Sequence, residues 1–395
     1  MVTARAATQF PGLESVSRPS SRGVLPSQRI QELVERGAII ADAIEDVQIQ
    51  PASLDLRLGR TAYQVRASIL PGPNTTVLEA AREVLVQELN LSDSQVLQKG
   101  SVYLIPAQES LKLPRGVSAK ANPKSTTGRL DVFARLITDR ADQFDNIKRA
   151  YAGDLYIEVA PKTFNVRVRE GTRLNQIRFL HGRPLFDDAS KKAAEAGEVL
   201  VYSPSGEPMK ANVHRGLWLT VDLHGSAGDI VGWRARTNTP VIDFDLVDHY
   251  DPNEFWEPIS SDIKGRLILN PGDFYILGSR ERVRVPPAYA AEMVPYDPAM
   301  GEFRAHYAGF FDPGFGFGRG QVEGTRAVLE VRSYDVPYLL RDGQNIARLV
   351  YEQLSEPPQR LYGVDVPSSY QDQFLGLGKQ FKRDGRGSPR PPTER

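Results

Sequence analysis

The sequence predicts a mainly β protein made of two tandem copies of one domain. Three observations carry this reading. The chain has 395 residues, more than one ordinary core accommodates and enough for two domains of common size. Short β-type runs separated by turn residues fill most of it. One internal register relates its two halves.

From the N-terminus, residues 1–24 are rich in Ser, Arg and Pro and read as a disordered leader; their Arg and Ser content would also suit a transit peptide. RIQELVERGAI from Arg29 places Ile30, Leu33 and Val34 on one face and ends on a glycine, which predicts a short helix with its stop signal. Runs such as VYLI, LYIEVA, FNVRVRE, IRFL, FYIL, AVLEVRS and RLVYEQL follow. With 29 prolines and 33 glycines to turn the chain, they predict sandwich- or barrel-like β domains. SKKAAEAGEVL from Ser190 is a second helical candidate in a polar stretch, read as part of a linker over residues 181–214. The last residues, 382–395, read as a disordered tail.

GSVYLIPAQESLKLPRGVSAKANP from Gly100 matches GDFYILGSRERVRVPPAYAAEMVP from Gly272. Gly100/Gly272, Tyr103/Tyr275, Glu109/Glu281, Pro114/Pro286 and Pro123/Pro295 all stand 172 residues apart. The same offset relates Glu158 to Glu330 and REG (169–171) to RDG (341–343). SLDLRLG from Ser53 is further set against TVDLHG from Thr220. Domains over about 25–180 and 215–381 follow; two copies are too few for a solenoid.

Hydrophobic residues at 41% and charged residues at 25% belong to a globular chain. Lys plus Arg and Asp plus Glu number 49 each. The net charge is therefore zero, and no general attraction to nucleic acid or membranes is expected. No apolar run is long enough to span a bilayer. The absence of cysteine removes disulfides, thiol nucleophiles and cysteine-ligated zinc, and suits a reducing cytoplasm. Five histidines without paired spacing speak against a protein-ligated transition metal.

Four constellations could carry chemistry. PKSTTGR (123–129) combines Lys124 and Arg129 with hydroxyls at Ser125 and Thr126 and a close-approach glycine. These features suit a polyphosphate cradle, although a solvated basic turn would read alike. The second copy has PYDPAMG there, without a basic residue, which favours phosphate binding by the first copy alone. Glu158 and Glu330 each sit in a strand-like run; one such acid faces solvent by default, but both copies keep it, which favours a purpose, and a partly buried carboxylate can shuttle protons. Asp142 and Asp312 are the aligned acids of the preceding stretch when Thr138 is set against Ala308. YGVDVPSSYQDQFLGLG from Tyr362 suits a lid or an ordinary tail equally.

In order and spacing these residues resemble the deoxycytidine triphosphate deaminases, relatives of the trimeric deoxyuridine triphosphatases. PASLDLRLG resembles the family's early strand and KSTTGR its R-S-S-x-x-R phosphate loop. LITDRAD and YAGFFDPG resemble its T-A-H-R-I-D-P-G stretch, YIE and VLE its glutamate strand, REG and RDG its turn, and LYG…SSYQDQ its lid. The resemblance implies two tandem dUTPase-like β-barrel or β-clip domains and hydrolytic deamination of dCTP to dUTP without zinc. A glutamate would shuttle protons, and Mg²⁺ would arrive on the substrate triphosphate. It further implies a homo-oligomer with a trimer favoured, and dTTP as a possible inhibitor. Lys124, Ser125, Thr126 and Arg129 would bind phosphate, and Ala308, Asp312, Asp142, Tyr362, Tyr370 and Gln373 would line the nucleotide site. Because the first copy lacks Asp-Pro-Gly and the second lacks the basic loop, a composite site is expected, with Glu330 as catalyst and Glu158 as its rival. A deoxyuridine triphosphatase, a bifunctional enzyme and a non-catalytic nucleotide-binding regulator are the alternatives.

Overall fold

The computed structural model describes residues 22–182, 189–224, 229–294, 303–305, 309–318, 320–333, 335–366, 370 and 375–383. Among these, strands dominate, and the helices are short, the longest being the nine-residue Ser27–Glu35. That helix is the one the Arg29 pattern predicts: Ile30 and Leu33 are buried, and Gly37 follows at φ 66°. None of the described helices is long and apolar enough to cross a membrane.

The two halves repeat the same ladders. In the first half one sheet runs Leu85–Asn90, Thr61–Val65, Val102–Lys112, Ala152–Pro161, Val132–Thr138, with Ile39–Ile40 added to Val102–Lys112. In the second it runs Trp256–Ser260, Ile230–Ala235, Phe274–Val283, Thr325–Ser333, Phe303–Ala305, with Val201–Tyr202 added to Phe274–Val283. The register matches residue by residue. Glu158 stands opposite Leu104, and Glu330 opposite Ile276, each 172 positions on. A second sheet centres on Asn175–His181 and Val117–Pro123 in one half, and on Asn345–Gln353 and Tyr289–Val294 in the other. The run Leu155–Pro161 is buried throughout, as expected of a strand covered on both faces. Val117–Pro123 begins instead with alternating buried and half-buried residues, the period of a strand with one face inward.

The ladders correct one reading. Leu56 pairs with Asn175 and Leu219 with Ala347, so SLDLRLG corresponds to residues 163 positions on. Glu109 and Glu281 bear this out. Each accepts a hydrogen bond from the backbone of the early strand, Arg57 N to Glu109 Oε2 at 2.9 Å and Thr220 N to Glu281 Oε2 at 2.8 Å. These repeated glutamates hold the strand ends.

The expected boundaries shift as well. Gly23–Val24 pairs with Leu180 and His181, so the fold begins inside the expected leader. Ala189, Ala193, Leu200 and Val201 join the second core, because the Ser190 helix has a small apolar face to bury. The expected linker is thus partly a folded element. Lys382 N donates to Tyr250 O at 2.9 Å, which moves the start of the tail. The rest of the leader and tail lies outside the described residues.

The halves are interlocked. Ile242–Asp243, from the second half, pairs in parallel with Val166–Val168 of the first. Phe255, Trp256, Phe274 and Phe381 pack in one core with Phe164. At the seam Lys120 bonds both Glu292 and Glu352. Lys120 and Glu292 hold the same position in the two copies, so equivalent faces meet.

Candidate active site

PKSTTGR folds as one turn of helix, Ser125–Gly128, rather than an open loop. Pro123 ends the preceding strand, and Lys124 O accepts from Thr127 N and Gly128 N at 2.8 and 3.1 Å. Thr127 Oγ1 is turned away to Leu174 O at 2.7 Å. Lys124 pairs with the buried Asp55. Thr126 Oγ1 lies 2.6 Å from Tyr370 Oη. Arg129 stacks on the Tyr370 ring at 3.8 Å and donates to Gly376 O at 2.9 Å. Burial draws its guanidinium below the ordinary arginine value, while Tyr370 and Glu330 oppose that shift.

The basic turn forms one wall of a cavity of about 720 Å³, within the range of small-ligand sites. Lys124, Ser125, Thr126, Gly128 and Arg129 come from the first half; Asp312, Glu330, Tyr362 and Tyr370 come from the second. The expected composite arrangement is therefore present within one chain. A Cβ built on Gly128 would stand 2.8 Å from Glu330 Oε2, so glycine permits this approach.

The two glutamates differ in their surroundings. Glu330 is half-buried and lines the cavity. Glu158, at 3% exposure, is closed off and ion-paired to Arg135, whose guanidinium stacks on Phe144 at 3.8 Å. The default solvent-facing reading thus fails for both, and Glu158 is not part of the cavity wall.

Asp142 is displaced from its expected place. Asn146 pairs with Lys120, and Phe310 with Glu292. The position equivalent to Asp312 is therefore Lys148, and Asp142 sits six residues earlier. Its side chain is 64% exposed, 3.4 Å from Lys148, and the longer first-copy stretch explains the slip. Ala308 and Gln373 lie outside the described residues.

Other wall residues carried weaker sequence signals. Asp55 lies in SLDLRLG, as a lone acid between two leucines. Arg169, Arg173 and Lys379 add positive charge, and burial lowers the Lys379 amine. Phe244 and Asp245 arrive on the crossing segment, where Asp245 accepts from Thr172 Oγ1 at 2.8 Å. Burial raises the Asp312 carboxyl above the usual range, and Arg178 opposes this. Among the described residues no group of three or more His, Cys, Asp or Glu is placed to hold a metal ion. The arrangement combines cations suited to an anionic ligand with a carboxylate on the same cavity wall.

Comparisons with known proteins bear on the chain as a whole. The model of the 2'-deoxycytidine 5'-triphosphate deaminase N-terminal domain matches residues 21–183, and that of the C-terminal domain matches 187–381. A dUMP-forming dCTP deaminase of Halobacterium salinarum is 33% identical over 142 residues, 35% of this chain and 67% of its own length. A dCTP deaminase of Halorubrum lacusprofundi is 34% identical over 123 residues, 30% of this chain and 55% of its own length. The crystal structure of 2'-deoxycytidine 5'-triphosphate deaminase from Agrobacterium tumefaciens is 47% identical, with a TM-score of 0.79, and the match covers 85% of this chain and 99% of that one. With both domain models matched in order along the sequence, and a structural neighbour covered almost completely, the chain belongs to the 2'-deoxycytidine 5'-triphosphate deaminase family.

Proposed function

We propose that the protein hydrolyses dCTP to dUTP and ammonia in pyrimidine deoxynucleotide synthesis, with Glu330 as the proton shuttle. That it is an enzyme of dCTP deaminase type follows from the family and from the 47%-identical neighbour. The assignment of Glu330 rests on one observation: its carboxylate meets the Gly128 turn in the joint cavity, which Glu158 does not line.

In this reading the substrate arrives as its Mg²⁺ complex, and Lys124, Arg129, Arg169 and Lys379 receive the triphosphate. The Glu330 carboxylate takes a proton from water as the oxygen bonds to C4 of the cytosine ring. It delivers that proton to the ring N3, then takes the proton of the new C4 hydroxyl and passes it to the exocyclic nitrogen. The C4–N bond breaks, ammonia leaves and C4 becomes a carbonyl. A carboxylate within reach of the attacking water contributes about 10²–10⁴-fold in such transfers. The chain has no cysteine, so the cysteine-ligated zinc of other cytosine deaminases is unavailable to it.

A second reading, in which the product is dUMP, is favoured by the dUMP-forming names of the Halobacterium salinarum and Persephonella marina relatives. The test is the product profile from dCTP with Mg²⁺. Ammonia and dUTP in equal amounts, without pyrophosphate, support the proposal. Ammonia with pyrophosphate and dUMP supports the second reading. Binding of dCTP without ammonia release makes the protein a nucleotide-binding regulator.

A further inference from the structure

Behind the cavity wall lies a guanidinium that the reaction just described does not use. Arg178, in Asn175–His181 of the first half, is completely buried and reaches across the seam into the second half. Its Nη2 is 3.3 Å from Asp312 Oδ1 and 3.4 Å from Phe311 O; its Nη1 is 3.1 Å from Ala291 O and 3.3 Å from Glu352 Oε2. The guanidinium also stacks on the Phe310 ring at 4.0 Å. Phe310, Phe311 and Asp312 line the cavity. One side chain therefore grips three consecutive wall residues from behind. Its counterpart, 172 positions on, is Val350, so the device belongs to one copy only, as the basic turn does.

We propose that Arg178 is a positioning residue for deamination: it holds the Phe310–Asp312 wall in place and fixes the Asp312 carboxyl toward the bound nucleotide. The inference rests on the cavity being the dCTP site. An arginine suits this role because its planar fork can hold carboxylates and carbonyls at once, and because it stays charged when buried. Burial disfavours a charged Asp312 and Arg178 opposes that effect, so removing Arg178 favours the protonated form further. The other charged groups that bear on Asp312 are Asp55 on the early strand, which opposes its ionisation, and Lys124 at the basic turn, which favours it. Glu352, from Asn345–Gln353, reaches it only through Arg178, and Glu292 is engaged by Lys120 and Asn122.

The test compares wild type, Arg178→Lys, Arg178→Met, Asp312→Asn and Arg178→Met/Asp312→Asn, reading kcat, KM, dCTP binding and the pH dependence of kcat/KM. Arg178→Met is expected to lose about 10–100-fold in kcat/KM and to move the acid limb of the profile to higher pH. Arg178→Lys should keep the limb in place and recover part of the loss. In the double variant the limb shift should vanish, because no carboxyl remains to titrate. A folded Arg178→Met with wild-type kcat, KM and acid limb would overturn the proposal. If that variant does not fold, the double variant decides. Folding of the double variant without a limb shift supports the role through Asp312; its failure to fold makes Arg178 a seam-packing residue and overturns the role. Should the wild type release no ammonia from dCTP, the deaminase reading fails, and the pH dependence of dCTP binding still tests Arg178.

Discussion

Gly128 in the first half and Glu330 in the second approach so closely that any side chain at the glycine meets the carboxylate, 2.8 Å from a Cβ to Oε2. Two stretches separated by 202 positions thus meet in one cavity, and the contact carries the first prediction. Gly128 is in a helical turn without positive φ, so alanine suits its backbone, and helix propensity alone would add up to about 1 kcal/mol of stability. The close neighbour is the end of a flexible side chain, which yields without unfolding the protein. Gly128→Ala should therefore keep its melting temperature within a few degrees (about 1 kcal/mol) while dCTP turnover falls by about tenfold or more. Thermal melts beside ammonia release measure both.

Asp145 supplies a pH signature. Burial pushes its carboxyl up to about 7; the hydrogen bond from Leu136 N and the charge of Arg135 oppose the rise, and Glu292 and Glu158 add to it. Because the folded value exceeds the ordinary 3.8, the folded chain holds the extra proton between them. The associated stability is fully present below about pH 4 and is lost as pH rises through about 7. Asparagine keeps the acceptor for Leu136 N and tolerates the φ of 59°. Asp145→Asn should gain on wild type by on the order of 1–2 kcal/mol between pH 5 and pH 8, read by denaturant melts at both values.

The C-terminal segment is anchored at its far end. Phe381, 1% exposed, meets Phe255 and Trp256 edge-on at 5.4 and 5.9 Å, and Gln380 Nε2 donates to Phe244 O at 2.8 Å. The same segment supplies the carbonyl of Gly376 to Arg129. Phe381→Ala is expected to cost about 3–5 kcal/mol and to raise KM for dCTP more than it lowers kcat, since it loosens the support of the basic turn rather than Glu330. Denaturant melts and steady-state kinetics check the two halves of this prediction.

Much of the architecture was legible because a duplicated fold repeats its buried positions at a constant spacing. Tyr103 and Tyr275 show why: both are buried and both cap a turn through the hydroxyl, to Gln98 N and Asn270 N. The joint cavity was legible because the copies diverge at Lys124–Arg129, where the second copy has PYDPAMG, without a basic residue. Register failed where loop length changed. Asp142 was matched to Asp312 across a stretch that is longer in the first copy, and only the Asn146–Lys120 and Phe310–Glu292 ladder pairs set it right. Asp55, Arg178 and Lys379 were missed for another reason. Each acquires its meaning from partners distant in sequence, as Arg178 does from Asp312 and Glu352, and no local pattern marks such a contact.

Glu330, in the cavity shared by both halves, is proposed as the catalytic carboxylate. Ammonia release from dCTP by Glu330→Gln and by Glu158→Gln, with folding of each checked by circular dichroism, tests it most directly. Glu330→Gln is expected to lose about 10²–10⁴-fold with dCTP still bound, and Glu158→Gln to keep turning over. Full turnover without the Glu330 carboxylate, or its loss only with Glu158→Gln, would overturn the assignment of Glu330.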